Sequence, residues 1–117
     1  MVKAKPQKAK YAHNPAYGQL VKKMATIIET TFESFGITVI VMEINNLEND
    51  VEFLLEVEMG TPLENISKLH KDLAMALASP TGDVEIEAPV PGTCRVALRF
   101  PMTLNWVDSQ VKKFKIP

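Results

Sequence analysis

The stretch from Asp72 to Met102, DLAMALASPTGDVEIEAPVPGTCRVALRFPM, contains a helix end, two strands and the turns between them. Leu73, Ala74, Ala76 and Leu77 recur at helical spacing, and Pro80 with Gly82 stops that run. Val84, Ile86 and Ala88 then alternate with Asp83, Glu85 and Glu87, the period of a strand with one face in water. Pro89 to Thr93 turns the chain. Cys94, Val96, Leu98 and Phe100 alternate in turn with Arg95, Ala97 and Arg99, which predicts a second strand with Cys94 on its inner face, as a small hydrophobe rather than a nucleophile. The two strands make a hairpin in which Glu85 and Glu87 sit across from Arg95 and Arg99. Each such exposed pair contributes up to ~1 kcal/mol.

Upstream the pattern repeats itself. From Ala16 to Phe35 the residues Leu20, Val21, Met24, Ile27, Ile28, Thr31 and Phe35 fall at spacings of three and four, the mark of an amphipathic helix, and Gly36 is placed to end it in a left-handed backbone. Ile37 to Ile44 is rich in β-branched residues. After the turn-forming Asn45 to Asp50, the run Val51 to Met59 alternates, with Glu52, Glu56 and Glu58 on one face and Val51, Phe53, Leu55, Val57 and Met59 on the other. Pro62 suits the first turn of a second helix with Thr61 as its N-cap, and Glu64 completes a capping box. That helix presents Leu63, Ile66, Leu69, Leu73, Ala74, Ala76 and Leu77 to the sheet, with His70 between core and water.

The reading is an α+β fold in the order α-β-β-α-β-β: a two-layer sandwich, mainly antiparallel, with the helices on one face and the helix-hairpin unit duplicated. Residues 1–15 read as a flexible basic tail, since lysine, alanine and proline offer little to bury against the entropy of ordering. Residues 16–102 are the domain. Residues 103–117 read as a C-terminal tail or short helix, started by Asn105, with Leu104, Val107, Val111 and Phe114 on a stripe that Trp106 misses. This end either docks onto a following domain or packs on its own.

Three pieces resemble the FtsK/SpoIIIE family of hexameric double-stranded DNA translocases: Asp72-Leu73-Ala74-Met75-Ala76-Leu77-Ala78, Glu87-Ala88-Pro89-Val90-Pro91-Gly92 and Val96-Ala97-Leu98-Arg99-Phe100-Pro101. They stand in that family's order and spacing, and Phe35-Gly36-Ile37 extends the likeness upstream. The segment Leu20 to Met102 is similar to the family's alpha domain, which precedes a RecA-like motor and stacks in a ring around DNA. Thr93 stands where the family carries lysine, Met102 where it carries asparagine, and Asn49-Asp50-Val51 where it often has a glycine-proline. The resemblance implies a non-catalytic module that supports ring assembly around DNA in chromosome segregation, cell division or DNA transfer. Its implied partners are further copies of itself, a translocase motor domain and double-stranded DNA. The family-motif turn is Glu87, Ala88, Pro89, Pro91 and Gly92.

The residues themselves agree with a non-catalytic reading. No G-x-x-x-x-G-K-[ST] phosphate loop occurs, so nothing cradles nucleotide phosphates in that manner. His13 and His70 lie far apart, and no His or Cys pair has metal-ligand spacing, so no cofactor or metal is expected. The net charge of −1 hides a segregation. Residues 1–23 carry lysines and no acid, whereas residues 24–67 carry acids and no base. Lys3, Lys5, Lys8, Lys10, Lys22 and Lys23 are the candidate DNA contacts, sequence-independent and salt-sensitive. The acidic middle is either one interaction face or an ordinary solvated surface. A single cysteine, no apolar run long enough to span a bilayer and no secretory signal place the expectation in a reducing cytoplasm. The start at Met1 and the tail Lys112 to Pro117 favour a self-contained unit. The alternative function is then a stand-alone adaptor of the same fold that binds a protein partner or nucleic acid.

Overall fold

The computed structural model describes residues 15–117. Its elements are α1 (Pro15–Ser34), β1 (Val39–Asn46), β2 (Asp50–Val57), α2 (Leu63–Ser67), α3 (His70–Leu77), β3 (Glu85–Glu87), β4 (Arg95–Pro101) and α4 (Leu104–Lys113). The strands form one antiparallel sheet in the order β1-β2-β4-β3. This is the α+β architecture that the periodicities predict, and the two helix-hairpin units meet through their second strands.

One face of the sheet makes the core. Val51, Phe53 and Leu55 of β2 and Val96, Leu98 and Phe100 of β4 are buried. They cluster with Leu20, Met24, Ile28 and Phe32 of α1 and with Ile66 and Leu73 of the middle helices. Each such side chain stabilises the fold by ~1.5–3 kcal/mol through the surface it removes from water. β1 joins this core through a β-bulge. Val41 pairs with Leu55 but Glu43 pairs with Leu54, so Met42 is an extra residue in the ladder. The bulge lets Val39, Val41 and Ile44 all pack on the core side although their spacing breaks a strict period of two.

Several expectations need correction where elements end. α1 stops at Ser34, so Phe32 is buried while Phe35 is 51% exposed. Gly36 takes φ +79°, as the helix stop requires. β2 ends at Val57, and Met59, outside it, is 97% exposed. β4 begins at Arg95, so strand alternation does not reach Cys94, which is exposed rather than inward. Leu63 and Ala76 lie on exposed positions of their helices.

The second helix is also two helices. Leu69 adopts φ −90°, ψ 10°, and its N–H turns back to the Ile66 carbonyl, so the regular pattern breaks between Ser67 and His70. Pro62, extended at ψ 131°, is the N-cap and no side chain caps this end. Thr61 therefore lies one residue too early, and the predicted capping box is out of register by one. α3 closes on Ala78 in a left-handed conformation, φ 56°, ψ 50°.

α4 packs on its own domain. Its N-cap is Thr103, not Asn105, and the Thr103 hydroxyl accepts the Trp106 backbone N–H at 3.2 Å. Trp106 is buried and Leu104 is 58% exposed, against the predicted stripe, whereas Val107 is buried and Val111 and Phe114 pack on the core as predicted. The Trp106 ring lies 4.8 Å from the Phe100 ring, and its Nε1–H donates to the Ala78 carbonyl. The indole thus ties α4 to the end of α3. No helix among the described residues is long and apolar enough to cross a membrane.

Candidate nucleic-acid interface

Candidate DNA contacts Lys3, Lys5, Lys8 and Lys10 lie outside the described residues. Lys22 and Lys23 are exposed on α1. Packing α4 against α1 adds what the linear sequence hides. Lys23 Nζ and Lys113 Nζ each lie 5.6 Å from the centroid of the Phe114 ring. Lys112 and Lys115, neighbours of Lys113 and Phe114 in the chain, are also exposed. Among the described residues, none of these five lysines has a carboxylate within ion-pair distance. Their charge is therefore available to an anion. The signal is the lysine cluster at the far end of the chain, legible as charge but not as a neighbour of Lys23.

The acids follow a different logic. On the sheet face opposite the core, Arg95 Nη1 donates to Glu43 Oε2 at 2.7 Å. Arg99 Nε donates to Glu52 Oε2 at 2.9 Å and Nη2 to Glu87 Oε1 at 2.7 Å, and its Nη1 lies 3.7 Å from Glu85 Oε1. Asn45 adds a bond to Glu52 at 3.1 Å. The predicted pairing holds for Arg99 with both Glu85 and Glu87. It fails for Arg95, because β2 lies on its other side and brings Glu43 of β1 within reach. The hydrogen bond to Glu87 leads in raising the Arg99 pKa above its ordinary value, with Glu52 adding to it. Ala97, between Arg95 and Arg99 on this face, is fully buried. Of the nine acids between residues 24 and 67, Glu43 and Glu52 are thus paired with arginine, whereas Glu33, Glu48, Glu56, Glu58 and Glu64 are exposed.

The family-motif turn forms a tight exposed tip. Ala88–Pro89 is a cis bond and Gly92 takes φ +79°. The Val90 N–H donates to the Arg95 carbonyl at 2.9 Å, and the Thr93 hydroxyl donates to the Val90 carbonyl at 2.8 Å while accepting the Arg95 N–H at 3.1 Å. Thr93 therefore closes the turn. Pro91 and Gly92 are exposed, whereas Glu87 reaches back to Arg99.

His70 sits at the start of α3 with its Nδ1 2.6 Å from Asp83 Oδ1. That bond, with the Val84 N–H at 2.8 Å, holds the Asp83 carboxyl below its ordinary value. Ser79 donates to the Asp83 carbonyl at 2.6 Å. The cluster fastens the α3–β3 loop. Among the described residues, no group of three His, Cys, Asp or Glu side chains is arranged to hold a metal ion.

Residues 4–102 match the FtsK alpha domain family. A protein named DNA translocase FtsK from Streptococcus pyogenes serotype M3 is 38% identical over 82 residues, covering 70% of this chain and 10% of the relative. One of the same name from Streptococcus pneumoniae is 36% identical over 102 residues, covering 80% and 13%. Another, from Staphylococcus epidermidis, is 32% identical over 81 residues, covering 69% and 10%. The chain thus spans only a small part of the length of these relatives.

Proposed function

The chain belongs to the FtsK alpha domain family, and on that premise we propose that it is a non-motor module of a cytoplasmic, hexameric double-stranded DNA translocase. It supports the ring around DNA, alongside a motor domain, in chromosome segregation, cell division or DNA transfer. The observation that carries this reading is the family match over residues 4–102, which spans both helix-hairpin units. Two features support it. The sequence has no phosphate loop with which to bind nucleotide in the manner of the motor. The α1–α4 corner also presents lysines free of carboxylate partners among the described residues, which suits sequence-independent contact with a phosphate backbone.

The module does no bond chemistry in this account. It contributes shape, subunit contacts and a basic surface. The test is an exchange in which residues 4–102 replace the matching segment of the pneumococcal relative. The hybrid is expected to assemble to the relative's size on DNA and to retain its motor activity, whereas deletion of the segment loses assembly. A hybrid that folds but neither assembles nor moves DNA contradicts the reading.

A further inference from the structure

Among the described residues, β1 is an outer strand of the sheet. Such strands offer backbone N–H and C=O groups to any extended chain. Its first half belongs to Ile37–Met42, ITVIVM, a run without charge, proline or glycine. That composition favours pairing with copies of itself. Ile40 and Met42 are 52% and 44% exposed. One carboxylate intervenes. Glu29, from α1, accepts the Val41 backbone N–H through Oε2 at 2.9 Å. An N–H that leaves the β1–β2 ladder for a helix side chain is one that faces out of the sheet, and the bulge at Met42 interrupts the ladder at the next residue.

We propose that the β1 edge is a latent strand-pairing surface for β1 of a second copy, and that Glu29 holds it closed by occupying the Val41 N–H. A second β1 is the occupant that fits. Two antiparallel ITVIVM runs set no like charges opposite each other, and they bring exposed Ile40 and Met42 against apolar partners. The nearest acid on the strand, Glu43, is engaged by Arg95 at 2.7 Å. The guard and the bulge are two of the devices by which outer strands are kept from joining. This inference is independent of the translocase reading.

The test compares Glu29→Ala with Glu29→Gln in the purified chain, by light scattering and thioflavin fluorescence. Glu29→Ala frees the N–H and is expected to associate into β-rich species at about a tenfold lower concentration than wild type, the scale set by losing a hydrogen bond to a charged group. Glu29→Gln keeps an acceptor oxygen and is expected to behave as wild type. Adding Ile40→Lys to Glu29→Ala places a charge on the edge and is expected to abolish the association. Glu29→Ala that stays at wild-type size overturns the proposal. So does association that survives Ile40→Lys, because it then arises from unfolding rather than from the edge.

Discussion

Lys23 of the first helix and Lys113 of the last hold their ammonium groups over one aromatic ring, each 5.6 Å from the Phe114 centroid. Each cation–π contact contributes ~0.5–1 kcal/mol at an exposed site. Two cations brought to one ring favour a bound anion nearby.

A duplex phosphate backbone is such an anion. The double variant Lys23→Glu, Lys113→Glu is expected to bind DNA more weakly, with the slope of log affinity against log salt smaller by about 0.9 for each phosphate that a lysine no longer neutralises. Fluorescence anisotropy with a labelled duplex measures both. The melting temperature is expected to fall by a few degrees, because both cation–π contacts are lost, so binding is compared well below it. An unchanged slope removes this corner from the interface.

Arg99 links β2, β4 and β3 through Glu52 and Glu87, with its side chain 24% exposed and that of Glu52 15%. Arg99→Ala leaves partly buried carboxylates without their cation. The expected loss is about 1–3 kcal/mol, read from denaturant midpoints. Arg95→Ala is expected to cost less, since it releases only Glu43. Equal losses would mean that the Arg99 junction is no stronger than a single pair.

The strands are legible in the sequence because water on one face forces alternation, and Val51, Phe53 and Leu55 against Glu52 and Glu56 read directly. Their ends are not. Phe35, Met59 and Cys94 keep the hydrophobic period past the point where the backbone stops obeying it, and only turn geometry decides that point. The bulge at Met42 is hidden because an extra residue has no sequence signature in a run of β-branched side chains. Linear spacing misplaces Trp106 because packing on Phe100 and the bond to the Ala78 carbonyl, distant in the chain, decide which face is buried. The basic corner depends on α4 packing across α1, a contact between distant parts of the chain that local periodicity does not encode. Lys22 and Lys23 are legible as charge, whereas nothing local marks Lys113 as a neighbour of Lys23.

Ala78 ends α3 at φ 56°, where an L side chain costs about 1–2 kcal/mol relative to the right-handed region. Glycine avoids that cost and is the residue helices favour at such a stop. Ala78→Gly is expected to stabilise the domain by about 0.5–1 kcal/mol after the added chain entropy of glycine in the unfolded state. Thermal melts measure it. Destabilisation instead would mean that the Ala78 methyl contributes packing worth more than the strain.

Asp83 has a folded-state pKa below its ordinary 3.8, first because of the bond with His70 and then that from Val84. A carboxylate with a lowered folded pKa contributes stability that is present above the ordinary value and is lost as pH falls through the lowered one. Wild type is therefore expected to lose stability below pH 3.8 more steeply than Asp83→Asn, whose loop contact carries no such titration. Parallel stability profiles for the two proteins would show that the His70–Asp83 bond does not fasten the loop in solution.

Light scattering of the purified chain, with and without a long DNA duplex, at low and at moderate salt, reads both assembly and DNA contact in one experiment. A ring-sized assembly, or a complex with DNA that weakens as salt rises, is expected, carried by the basic end of the domain. A particle with the mass of a single chain, indifferent to DNA at both salts, would contradict the proposed role.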